Sequence, residues 1–189
     1  MKVTSSCFRL LLPAALIIIS LVPAGSATTQ KRDHLTDAES ELIRYYRELD
    51  KRIEVFIKAV DRRFAVINGT TPTSSKKLFK DEPDWGELPA GSHTELLRDI
   101  AGILSEAITN IDDVGQRDAR NPLLGRSLKK LTAAANGYLN QLAVLRNKTT
   151  DPEELEAIGR VADNANEIIE AGGKQPAPPP QEKDKKKKP

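Results

Sequence analysis

The chain has 189 residues, of which 30% are charged, 39% apolar and 4% aromatic, with a formal net charge of +2 and one cysteine. That length suits one domain with non-globular ends. The near-balanced charge excludes a strong field for nucleic acid, and the low aromatic share points to an aliphatic helical core rather than an aromatic-rich sheet.

Residues 1–27 read as a cleavable signal helix. Lys2 and Arg9 precede the apolar run Leu10 to Val22, and the small residues Gly25 and Ala27 follow it. The run is shorter than the ~20 residues that span a bilayer, and its flanks match an export signal cut after Ala27. The alternative is an uncleaved N-terminal anchor. Cleavage removes Cys7, so the mature chain has no thiol for a disulfide, a nucleophile or a metal. Export of this kind places the protein in the periplasm or outside the cell.

Residues 28–35 read as a flexible start. Thr36-Asp-Ala-Glu39 is a capping-box pattern. From there a first helix is predicted over 37–67, with a stripe of Leu42, Tyr46, Leu49, Ile53, Phe56, Val60, Phe64 and Ile67 at steps of three and four. Such a helix is about 46 Å long at ~1.5 Å per residue, against about 30 Å for the last helix. Its overhanging ends would present Tyr45 and Tyr46, or Phe64 and Ile67, as a candidate partner surface unless the linker covers them.

The linker 68–92 carries prolines together with Leu78, Phe79 and Trp85. Trp85, in the turn-rich stretch Glu82-Pro-Asp-Trp-Gly, is either a partner anchor or a plug on the bundle end. A second helix is predicted over 93–114 from the capping box Ser92–Glu95. Its stripe is Leu96, Ile100, Ile103 or Leu104, Ala107, Ile111 and Val114, and Gly115 closes it. Asp112, Asp113, Asp118 and Asn121 then read as solvated loop groups, since Arg117 and Arg120 sit among them and their spacing is not that of a calcium loop.

Asn121-Pro122 opens a third helix over 122–146 with the stripe Leu124, Leu128, Leu131, Ala135, Tyr138, Leu142 and Leu145. Ala133 to Ala135 with Gly137 are expected at a close helix contact or a slight kink. A fourth helix is predicted over 152–171, with Leu155, Ile158, Ala162, Ala165 and Ile169 inward and Gly172-Gly173 as its stop. The expected fold of residues 36–173 is an all-α, antiparallel four-helix bundle with coiled-coil-like seams and a long first connection.

Residues 174–189 read as a disordered tail. Four prolines favour an extended arm. Lys183, Lys185, Lys186, Lys187 and Lys188 make it a candidate anionic tether, for weak contact with a membrane surface or another envelope component.

No catalytic, cofactor or metal constellation is predicted. His34 and His93 lie at helix starts outside any Glu-x-x-His pair, and no phosphate loop or Gly-x-Ser-x-Gly motif is present. Asn68-Gly-Thr and Asn147-Lys-Thr match the glycosylation acceptor pattern. The expected function is an exported, non-enzymatic interaction or scaffold bundle of the bacterial envelope, with an unidentified protein, an anionic envelope component or a second copy as partner. The alternatives are a small-ligand carrier with an apolar cavity between helices and, last, an enzyme of unknown class.

Overall fold

The computed structural model describes residues 33–70 and 84–174. The described residues are all-helical and contain no strand. Five helices follow in order: α1 (Asp37–Tyr45), α2 (Leu49–Ile67), α3 (His93–Arg117), α4 (Pro122–Arg146) and α5 (Pro152–Lys174). The predicted signal segment, residues 71–83 of the linker and residues 175–189 of the tail lie outside the described residues.

The capping signals act as their chemistry requires. Thr36 and Ser92 each accept from the N–H three residues on, while Glu39 and Glu95 reach back to the cap N–H. Asn121 caps α4 ahead of Pro122. Asn68 and Asn147 are the C-caps of α2 and α4.

The first predicted helix is two helices. An unbroken rod would separate residues 39 and 63 by about 36 Å, yet their side chains bond at 2.9 Å. The chain therefore reverses at Tyr46–Glu48 and α1 lies back along α2. No proline or glycine marks the reversal, and the apolar spacing runs through it unbroken. Tertiary pairing overrides local propensity here.

α2 packs on α3 and α4, and α5 packs on α3 and α4, while α3 and α4 touch each other least of all. Cross-helix pairs fix the directions. Lys130 meets Asp50, Tyr138 meets Ile57 and Gln141 meets Asn68, so α2 and α4 run parallel. Arg98 bonds Glu153 and Asn164 bonds the Ala101 carbonyl, so α3 and α5 run parallel too. Helices joined by short turns still alternate in direction as expected, but the parallel pairs α2 with α4 and α3 with α5 are close neighbours in the ring. A short turn obliges the helices it joins to reverse direction, but it does not oblige them to pack most closely on each other.

One continuous aliphatic core fills this ring, with Ile53, Phe56, Ile100, Ile103, Leu131 and Val161 among its fully buried members. Each contributes roughly 1.5–3 kcal/mol by leaving water. Two predicted details shift. The inward side of α5 is Ala157, Ile158, Val161, Ala165 and Ile168, while Leu155, Ala162 and Ile169 are only half-buried. α5 serves two neighbours at once, so its seam is wider than one stripe. Gly137 faces open space rather than a neighbour. The close approach is at Gly172, where an added Cβ would collide with the Thr132 side chain. Gly172 and Gly173 thus lie within α5 and do not stop it.

Candidate functional site

Two features stand out against this frame. The first is a buried ion cluster under α1. Arg63 lies at the right spacing to join Phe56, Val60 and Ile67 on the apolar side of α2, and Asp99 lies likewise between Leu96 and Ile103 on α3. Both are buried. Arg63 Nη1 donates to Glu39 Oε1 at 3.0 Å and Nη2 to Glu39 Oε2 at 2.9 Å. The same two nitrogens also donate to the carbonyls of Ala59 and His34 at 2.8 and 2.6 Å, while Nε has no hydrogen-bond partner among the described residues. Asp99 stands 3.8 Å from its Nε. The same Glu39 carboxylate accepts from the Thr36 N–H, so one acid caps α1 and anchors it. Next to it, His34 Nε2 meets Glu106 Oε2 at 2.8 Å. The His34 ring rests where Gly102 leaves room on α3.

Arg62 extends the cluster outward. Its Nε lies 3.2 Å from Glu39 Oε1, and its Nη2 donates to the Glu87 carbonyl. Burial lowers its pKa, opposed by the Glu39 charge. Trp85 lies over Lys58 at 4.8 Å and Arg62 at 5.4 Å, contacts of a kind that stabilise by ~0.5–1 kcal/mol at a partly open site. Trp85 is therefore held against α2. An opening of about 400 Å³ lies beside this cluster, lined by Asp33, Thr36, Arg63, Pro89 and Asp99 among others. Its inner charges are engaged with one another.

The second feature is a groove of about 480 Å³ between the C-terminal end of α3, the start of α4 and the end of α5. Its floor is Ile108, Ile111, Leu124, Leu128, Leu131, Ile168 and Ala171. Ile111, Leu124 and Leu128 keep 9%, 8% and 6% of their surface exposed, against none for Ile103 and Leu104 deeper in the same core. The core is thus open at this end. Asp112, Gln116, Glu167 and Lys174 stand on the rim. Lys174 is paired with Glu170 at 2.7 Å, which lowers the Glu170 pKa through that bond and its charge.

The predicted partner residues fall in different places. Tyr45 and Tyr46 form an edge-to-face pair, centroids 5.1 Å apart, at the α1–α2 reversal, and Tyr45 is exposed. Phe64 and Ile67 are buried in the core, with Phe64 stacked on Tyr138 at 5.4 Å, so they offer no partner surface. Leu78, Phe79, Lys183, Lys185, Lys186, Lys187 and Lys188 lie outside the described residues. Asp112 and Asp113 belong to the last turns of α3 rather than to a loop, because α3 continues through Gly115 to Arg117. Among the described residues no group of three or more His, Cys, Asp or Glu side chains is placed to hold a metal, and no helix is long and apolar enough to cross a membrane.

The apolar stripes placed Ile111, Leu124, Leu128 and Leu131 in the core and missed the groove they line. One signal was present: Ile108 and Ala171 are apolar positions beyond the predicted stripes. Comparison with known proteins finds no matching family model, curated protein or solved structure.

Proposed function

We propose that this protein is an exported, non-enzymatic helical bundle of the bacterial envelope that works by binding. The groove at the open end of α3, α4 and α5 is its working surface. The lysines at 183 and 185–188 are a weak tether to an anionic surface. The leader-like pattern of residues 1–27 supports export. The observation that carries the binding reading is the groove, where side chains of the main core reach solvent. An opening of this kind marks a ligand or partner site more often than an accident of packing. Tyr45 and Tyr46 form a second, smaller contact patch.

The groove also favours the carrier reading over the scaffold reading. About 480 Å³ falls within the ~300–1,000 Å³ typical of small-molecule pockets, whereas a stable protein interface needs about 800 Å² from each side.

A photoreactive side chain placed at Ala171, compared with one at Tyr45, tests the reading in intact cells. Adducts formed at position 171 and blocked by filling the groove are expected. Equal, diffuse labelling at both positions would count against it. The mass of the protein recovered from the envelope tests export. A chain beginning at Thr28 is the expected result, and a chain retained in the cytoplasm would reject it.

A further inference from the structure

We infer that the groove takes a linear aliphatic amine: an alkyl chain on the apolar floor, with its protonated amino group between Asp112 and Glu167. This rests on the carrier reading and deepens it by naming the ligand class.

The argument is one of charge and shape. The floor offers only methyl and methylene groups from Ile111, Leu124, Leu128 and Ile168, with no buried polar group to orient a polar ligand body. An unbranched chain asks for nothing else. The polar groups are all on the rim, and their charges are unequal. The Lys174 ammonium is taken by Glu170, and Arg117, at the end of α3, is turned to Asp113. Asp112 and Glu167 have no ion-pair partner among the described residues. One stands on α3 and the other on α5, and both line the groove. A carboxylate head group would meet both acids, and Lys174, the one cation lining the groove among the described residues, is already paired. An ammonium head group would meet complementary charge on either side while its tail replaces water on the floor.

Titration of the full-length protein with decylammonium, decanol and decyl sulfate below their micelle concentrations, followed by amide shifts in NMR spectra, tests this. Decylammonium is expected to bind one to one, moving the amides of Gly115, Leu124 and Ala171. Decyl sulfate should bind about ten-fold more weakly or worse, as two rim charges of modest value imply. The pair Asp112→Asn and Glu167→Gln should remove most of the preference for the amine while leaving decanol binding unchanged. Ala171→Trp from the α5 wall, and independently Gln116→Trp from the α3 wall, should block all binding without altering the melting temperature, since both positions are exposed. Equal binding of the three head groups, or tighter binding of the sulfate, would overturn the amine assignment and leave the carrier reading standing. Failure of every chain to bind, or binding untouched by both tryptophan blocks, would overturn the two together.

Discussion

Arg63 and Glu39, 24 residues apart, meet in a two-pronged ion pair at 2.9 and 3.0 Å, with the arginine 1% and the glutamate 0% exposed. That pair fixes the path of the chain. It folds α1 back onto α2 and leaves the junction between them as a turn that local propensity does not call for.

Breaking the pair from one side should be costly. Arg63→Met takes the arginine from two buried carboxylates, Glu39 and Asp99, and should destabilise by about 3 kcal/mol in urea unfolding. Glu39→Met with Arg63→Met should recover part of that loss, because the Glu39 charge goes with its partner while Asp99 stays buried. If the double variant is as unstable as the sum of the single ones, the residues are not coupled as described.

Acid should weaken the contact where α2 meets α4. Burial alone would raise the Asp50 pKa, but the Lys130 ammonium at 3.1 Å, with Arg126 and Lys51, overcomes it and holds Asp50 below its usual value. Glu54 follows the same pattern, with Lys130 and Lys51 as donors. Both folded values are depressed, so their stabilisation is present above the unfolded pKa of about 4 and is lost as pH falls through the lower folded value. Lys130 is raised despite burial, by bonds to Glu54 and Asp50. Its share is present below about 10.4 and is lost above that as the folded value is passed. Lys130→Met should destabilise at neutral pH by about 1–2 kcal/mol, since Asp50 loses its hydrogen-bonded partner and keeps only the charges of Arg126 and Lys51. It should also flatten the acid limb of a plot of Tm against pH. An unchanged acid limb would reject the assignment.

Two glycines should respond with opposite sign. Gly137→Ala adds a methyl group into open space on α4 and should stabilise by about 0.5–1 kcal/mol through helix propensity. Gly172→Ala drives a methyl group into Thr132, which donates to the Ile168 carbonyl at 3.3 Å. It should destabilise by about 1–3 kcal/mol. Thermal melts of the two variants side by side decide the matter, and a stabilising Gly172→Ala would show that α4 and α5 are not in close contact there.

Ser127 is fully buried, and its hydroxyl has no hydrogen-bond partner among the described residues. Ser127→Ala should therefore raise stability, by up to about 1 kcal/mol, rather than lower it. A loss of Tm would mean that the hydroxyl has found a partner in solution.

The helices were legible because steps of three and four and reciprocal caps are local signals. Thr36, Ser92 and Asn121 each announce a start by their own chemistry. The reversal before Leu49 was not legible, since Leu42, Leu49 and Ile53 keep helical spacing across it. The hint lay elsewhere, in Arg63 and Asp99 occupying apolar-stripe positions on two different helices. Opposite charges placed so can only be buried together. The pairing of α3 with α5 in parallel was illegible for another reason: turn length constrains only consecutive helices. The groove escaped for a third. A side chain that closes the core and one that leaves it open have the same spacing, and Leu128 differs from Leu104 only in what lies opposite.

The contact between His34 and Glu106 spans 72 residues. Synthesis delivers the chain from its N-terminus, so α1 emerges long before the surface that receives it. Until α3 has been made, the charged side chains of Glu39 and Arg63 stay hydrated and the first two helices have little to hold them in a hairpin. The native arrangement therefore closes late, when α3 supplies Asp99 and the seat at Gly102, and a chain halted before that point should remain open and easily digested by protease.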